Sequence, residues 1–253
     1  MRHISWAVWI AASALACGNG ATAPAAQIGS SASQTNLHDH GDNPNPALFE
    51  KDARPYGATM STWADRLSQW MYAQPADHNP LFDQTGADCG VGQRGPVWFI
   101  PPIRGPRVFS GSRSCTIPPQ RALLLDIGNY LDDYPCPDPA FHPAPGQSLY
   151  DFLIADAKAV MDGVNFLAVS LDGEEMQDVL GYRFASQQLF TITGDPSLIQ
   201  TLDSCITGSP QPAISDGFFM MFKPLEPGPH TIVVRGTNVQ GADKTFTYHL
   251  TIQ

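Results

Sequence analysis

The sequence predicts a mainly β protein, a single-domain β-sandwich of jelly-roll-like or Ig-like type with two capping helices. Three observations carry that expectation. Short apolar or alternating runs recur between turn signals across residues 55–253, the pattern of many short strands. The 23 prolines and 22 glycines are scattered rather than massed, which marks frequent turns and not a disordered tract. Only two stretches carry apolar residues at helical spacing.

The first helix is expected from Thr62, with Asp65 three residues on as a capping-box pattern, to about Ala73. Trp63, Leu67, Trp70 and Met71 form one apolar stripe on it. The second helix opens at Ser148, with Asp151 at its third position, and runs to Gly163. Its buried face reads Leu149, Phe152, Leu153, Ala157, Val160 and Met161. Between and after the helices lie the strands. Val97–Ile100 is short, aromatic and bounded by prolines, and Ala122–Ile127 is a continuous apolar run suited to a central strand covered on both faces. Val164–Leu171 leads into Asp172-Gly173, a two-residue hairpin signal, with Glu174 and Glu175 on the return. Tyr182–Phe184, Leu189–Thr193, Phe218–Phe222 and Thr231–Arg235 supply further strands. The last strand alternates, with Phe246, Tyr248, Leu250 and Ile252 on one face and Thr247, His249 and Thr251 on the other.

Residues 1–16 read as a signal peptide: Arg2 precedes an apolar run from Ile4 to Ala16, too short for a spanning helix. The run ends Ala14-Leu15-Ala16-Cys17, which resembles a lipobox and makes Cys17 the expected site of lipidation. Cleavage near Ala23 or Ala25, with release, is the alternative. Residues 17–54 read as a flexible tether, and 55–253 as a disulfide-stabilised domain. The expected location is therefore the outer membrane or cell surface as a lipoprotein, alternatively the periplasm or the medium. Four of the five cysteines remain once Cys17 is set aside, an even number suited to an oxidising compartment. Cys89 with Cys115 is the preferred pair, since both border strand candidates and enclose a modest loop. Cys136 with Cys205 then follows, although four cysteines allow three pairings.

Fourteen basic against 24 acidic residues give a net charge of −10, which argues against nucleic acid and anionic membrane surfaces as partners. Membrane contact is expected through the N-terminal lipid alone. The nucleophile-elbow, zincin and phosphate-loop motifs are missing from the sequence, as is any paired C-x-x-C for zinc. His38-Asp39-His40-Gly41-Asp42 reads as a solvated linker rather than a chelate. Asp126, Asp132, Asp133 and Asp138 crowd the segment around Cys136 and offer oxygen ligands to Ca²⁺, but lack the spacing of a known calcium loop. No metal or other cofactor is expected on this reading. His230 reads as a hydrogen-bonded structural residue and His249 as exposed.

Several motifs form a joint pattern across most of residues 55–253. They are Trp63 and Trp70, Asn79-Pro80, Asp83-x-Thr85-Gly86, Cys89, and Gln93-x-Gly95-x-Val97-Trp98-Phe99. Cys115 with Pro118, Asn129, Asp216-Gly217, Leu225-x-Pro227-Gly228-x-His230-Thr231 and Tyr248-His249-Leu250 complete it. In this pattern the chain resembles a group of exported bacterial proteins of unknown function. That resemblance implies export and fold, and carries no mechanism.

Asn79, Asp83, Gln93, Asn129 and Asp216 are the candidate ligand-binding residues, polar groups beside turns and strand ends where loops on a sandwich carry binding chemistry. Trp63, Trp70 or Trp98 would then floor the pocket. If these five residues form a site, they must converge on one concavity. The functional expectation is a binding or structural module of the cell envelope, its ligand a small molecule, glycan or envelope protein. An envelope-polymer hydrolase using Asp83 or Asp216 is the alternative.

Overall fold

The structure, a computed structural model, describes residues 43–104, 110–237 and 243–253. The leader, Cys17 and the His38–Asp42 run lie outside the described residues. No helix among the described residues is long and apolar enough to cross a membrane.

Among the described residues two α-helices and ten strands occur, in the order α1 (Met60–Tyr72), β1 (Val97–Ile100), β2 (Ser110–Ile117), β3 (Ala122–Asp133), α2 (Leu149–Met161), β4 (Leu167–Leu171), β5 (Glu174–Glu175), β6 (Arg183–Ala185), β7 (Phe190–Ile192), β8 (Gln211–Phe222), β9 (Gly228–Thr237) and β10 (Asp243–Ile252). They form two mixed five-stranded sheets. The first runs β1-β3-β8-β6, with β7 pairing β8 on the same edge as β6, and β1 and β3 are parallel. The second runs β2-β10-β9-β4-β5, and β2 and β10 are its parallel pair.

Side-chain alternation places the cores. Leu123 and Leu125 of β3 and Phe218, Met220 and Phe222 of β8 share one core with Ile232 and Val234 of β9 and with Phe246, Tyr248, Leu250 and Ile252 of β10. The two sheets therefore bury facing surfaces. Leu124 of β3 and Phe219 and Met221 of β8 point to the opposite side, where Trp63, Leu67, Trp70 and Met71 of α1 cover them. Strand β3 is thus buried on both faces along the apolar run Ala122–Leu125. Helix α2 packs Leu153, Ile154 and Ala157 on Ile214, which shares a face of β8 with Phe218, Met220 and Phe222.

Four expectations are corrected. The cap of α1 is Thr59, whose hydroxyl accepts from the Thr62 amide at 3.2 Å, so the helix begins before the Thr62–Asp65 pattern. Ser148 does cap α2, accepting from the Asp151 amide at 3.0 Å while its hydroxyl donates to the Asp151 carboxylate at 2.6 Å. The tether does not extend to residue 54. Leu48 is wholly buried and bridges Phe222, and Asn45 bonds Gln177 in both directions and the Tyr182 hydroxyl. Strand β3 continues past Ile127 through a bulge between Asp126 and Gly128 to Asp133. Strand β2 was not expected at all. Its inward positions Arg113, Cys115 and Ile117 alternate with exposed ones, but a buried arginine hides the pattern.

The bridges are Cys89–Cys115 and Cys136–Cys205, spanning 26 and 69 positions. The Asp172-Gly173 hairpin also forms, both residues with positive φ (53° and 88°), as a turn matched to strand twist requires.

Candidate functional site: a carboxylate cluster at the end of β3

The five candidate residues do not converge. Asn79 is 1% exposed and closes the end of α1: its amide donates to the carbonyls of Met71 (2.8 Å) and Gln74 (3.1 Å), and its oxygen accepts from the Leu81 amide at 3.0 Å. Asp83 closes its own loop, accepting from the Thr85 amide and hydroxyl, the Gly86 amide and the Asp88 amide at 2.7–2.9 Å. Partial burial acts to raise its pKa, but these donors outweigh it and hold the carboxyl below the ordinary value. Gln93 pairs with the backbone of Phe99 in both directions, at 2.8 and 3.0 Å, as a substitute strand beside β1.

Asn129 and Asp216 lie on neighbouring strands but on opposite faces. Asn129 stands across from Gly217, so the adjacent Asp216 projects to the other side. Asn129 donates to Asp126 at 2.9 Å, and the fully buried Asp216 holds Arg183 through Nε at 3.0 Å and Nη2 at 2.6 Å. Arg183 also reaches Asp162 at 2.6 Å and so ties the end of α2 to β8. The tryptophans are core rather than pocket floor, with the Trp63 and Trp70 indoles donating to the carbonyls of Pro55 (2.8 Å) and Val91 (3.0 Å). Of the calcium candidates, Asp138 caps a turn through the Ala140 amide at 2.8 Å and Asp126 sits beyond the bulge, apart from Asp132 and Asp133.

What the fold does gather is a different set. Strand β3 ends Asp132-Asp133, and alternation sends the two carboxylates to opposite faces. Asp132 contacts the Asp156 carboxylate of α2. Burial first, then Asp156, Asp133 and Asp203, push the Asp132 carboxyl up to about 8. Asp133 contacts Asp203, in the segment before β8, and burial followed by the Asp203 charge raises its pKa. Tyr72, in the last turn of α1, stands close enough to feel both charges, and Arg104 supplies an opposing positive charge to Asp203.

The Asp133–Asp203 pair is held from several sides. Gln211 donates to Asp133 Oδ2 at 2.7 Å and to the Cys205 carbonyl at 2.9 Å. The Gln211 oxygen accepts from the Thr207 amide at 2.8 Å, and Asp203 Oδ1 accepts from the Cys205 amide at 2.9 Å. Among the described residues, nothing donates to the buried oxygens Asp132 Oδ2 and Asp133 Oδ1. Beside the pair, Pro135, Cys136, Pro137, Ser204, Cys205, Ile206 and Thr207 line a cleft of about 240 Å³. Sequence reasoning singled out Asp132 and Asp133 but missed Asp156, Asp203 and Gln211. The one signal for Asp203 is its place two residues before Cys205, the bridge partner of Cys136.

A second, half-buried polar contact joins α1 to the sheet. The Ser186 hydroxyl donates to Asp65 at 2.6 Å, and Ser215 lies at 3.5 Å. Burial outweighs these bonds and lifts Asp65 to about 6.

Fold and site together define a mainly β domain with two disulfides and a buried carboxylate cluster. No family model and no curated protein matches the chain. Among solved structures it is similar to PbICP-C, from the structure of PbICP-C in complex with falcipain-2, at 10% identity and a TM-score of 0.24. The match covers 61% of this chain and 98% of that one, and at that score the likeness carries no argument.

Proposed function

We propose that the chain is an exported β-sandwich that serves the cell envelope as a binding or structural module, anchored by lipid at Cys17. Its ligand is a small molecule, a glycan or an envelope protein, and its address is the outer membrane or cell surface. Two disulfides in the domain support the oxidising compartment that export implies.

One observation carries binding over hydrolysis. Asp83 and Asp216, the carboxylates the hydrolytic alternative requires, both do structural work: Asp83 accepts four bonds from its own loop, and Asp216 is fully buried against Arg183. A general acid or base needs a proton it can exchange with substrate. A turnover screen of the purified chain on glycans, esters and peptidoglycan tests the reading. Stoichiometric binding without repeated turnover is expected. Turnover that disappears in Asp83→Asn or Asp216→Asn, with the fold retained, overturns it. The anchor is tested separately by detergent partitioning and mass analysis of the N-terminal peptide, where an unmodified start beyond Cys17 rejects lipidation.

A further inference from the structure

We propose that the Cys136–Cys205 bridge is a site of thiol–disulfide exchange, reached through its cleft by a dithiol reductant, with the Asp133–Asp203 pair as proton donor to the departing Cys205 sulfur. The two disulfides differ in access. Cys89 and Cys115 are 7% and 6% exposed within the main core, beside a void of about 10 Å³ that has room for one water. Cys136 and Cys205 are each partly exposed, and both line the open cleft of about 240 Å³. Exchange requires a thiolate to reach one sulfur of the bond, and exposed disulfides are the labile ones. Of the two bridges, only Cys136–Cys205 meets that condition in the native fold.

The surroundings set the direction of attack. One carboxylate oxygen from Asp133, one from Asp203 and the Cys205 sulfur lie within 4.8 Å of one another, and the Cys136 sulfur is not part of that group. An incoming thiolate is repelled less at Cys136, so Cys205 is the sulfur that leaves. Beside carboxylates a thiolate leaves slowly unless it is protonated as it goes. Asp133 and Asp203 hydrogen-bond each other, which requires a proton on one of them. Burial raises the pKa of both, so the pair keeps that proton at neutral pH. Neither aspartate lines the cleft, so the proton lies on the protein side of the bridge while the reductant enters from the other. One water, or rotation of the freed Cys205 side chain, spans the gap.

The first thiolate of the dithiol bonds to Cys136 Sγ, the S–S bond breaks, and its electron pair passes to Cys205 Sγ, which takes the proton of the carboxyl pair. The proton that the first thiol released to water restores the pair. The second thiol then attacks the mixed disulfide, expels the Cys136 sulfur and gives it its proton. The bridge gains two electrons and two protons, and the dithiol loses the same number to become a disulfide. This chemistry is compatible with either functional reading, since neither Asp83 nor Asp216 lines the cleft. The other titratable groups around the pair are Tyr72 of α1, Tyr130 and Asp132 of β3, Asp156 of α2 and Arg104.

The test treats the full chain at pH 7.5 with about 1 mM dithiothreitol, alkylates at intervals and maps the peptides by mass. Cys136 and Cys205 should be alkylated together, at an initial rate at least about a hundredfold above that of Cys89 and Cys115, because the buried bridge waits on opening of the core. With 2-mercaptoethanol, a monothiol that cannot cyclise, the adduct should sit on Cys136 and the free thiol on Cys205. Per unit of dithiothreitol thiolate, the rate should fall between pH 7 and pH 9 as the pair loses its proton. Asp203→Asn should be at least about tenfold slower at pH 7 and flat across that range, whereas a merely structural aspartate would leave the profile unchanged. Equal initial rates at the two bridges, an adduct on Cys205, or the wild-type pH profile in Asp203→Asn overturns the assignment.

Discussion

The connection between α1 and β1 and the far end of β3 are both rich in polar side chains, and they hold them in opposite ways. In residues 73–96 every candidate side chain meets a backbone partner. Asn79 closes the helix end, Asp83 closes its loop, and Gln93 extends the sheet edge. At the end of β3, carboxylate faces carboxylate, and buried oxygens are left without donors among the described residues. The first region converts polarity into shape. The second packs carboxylates against one another, and among the described residues it leaves two of their buried oxygens without donors. Position next to a turn is thus a weak sign of a site.

The sharpest way to break the contrast is to cut the bridge that maintains the second region. Cys136–Cys205 spans 69 positions and Cys89–Cys115 spans 26, so chain entropy makes the former the stronger constraint. Replacing both Cys136 and Cys205 by serine should cost about 4 kcal/mol in denaturant unfolding, against about 3.5 kcal/mol for the Cys89/Cys115 double variant. Equal losses in the two double variants would show that loop length does not set the contribution of either bridge.

Opposite signs distinguish the regions next. Asn79→Ala leaves the Leu81 amide and the Met71 and Gln74 carbonyls without their buried partner and should cost about 2–3 kcal/mol. Asp203→Asn removes an acid that burial disfavours as a charge and keeps an oxygen for the Cys205 amide, so it should be neutral or stabilising, by about 1 kcal/mol. Urea titrations of the two variants at pH 7.5 check this, and a comparable loss in both would erase the distinction.

The same contrast explains what the sequence made legible. The final strand could be read because Phe246, Tyr248, Leu250 and Ile252 alternate without interruption, and all four are buried. The Asp172-Gly173 turn could be read because its backbone demands those residue types. Strand β2 escaped because Arg113 occupies an inward position. Its Nη1 and Nη2 donate to the Pro80 and Pro102 carbonyls at 2.7 and 3.1 Å, contacts supplied by other segments of the chain. Leu48 and Asn45 escaped because two isolated anchors make no period. Asp203 escaped because 70 positions separate it from Asp133, and the Cys136–Cys205 bridge and Gln211 that bring them together act across that distance.

A smaller effect comes from Asp65, which lies between the two regimes, bonded and half-buried. Its pKa is raised from 3.8 to about 6, so the folded protein holds this proton more tightly than the unfolded chain. Stability from this group is therefore highest below about pH 4, falls as pH rises through about 6, and is flat above that. Asp65→Asn should be more stable than wild type by about 1–2 kcal/mol at pH 7.5, and the difference should vanish near pH 4. Melts across that range measure it, and a gap that widens on acidification contradicts the burial argument.

The smallest expected effect is at His230, a satisfied group whose titration runs the other way. Its Nδ1 lies 2.7 Å from Asp172 and its Nε2 lies 2.8 Å from the Glu226 carbonyl. Both neighbours are acceptors, so the doubly protonated imidazolium fits where a neutral ring would leave one contact unmade. Burial lowers the pKa, but the Asp172 and Glu226 bonds outweigh it and raise it above 6.5. The stabilisation is complete below the unfolded value and is lost as pH rises through the higher folded one. Asp172 also accepts from the Thr231 amide at 2.7 Å, so its hold on β9 survives deprotonation of the ring. His230→Gln should therefore cost no more than about 0.5 kcal/mol at pH 6, in keeping with a half-exposed ion pair, and nothing measurable at pH 8.5. An NMR titration that places the His230 pKa at or below 6.5 in the folded chain would show that burial outweighs the two acceptors, and the predicted loss at pH 6 would go with it.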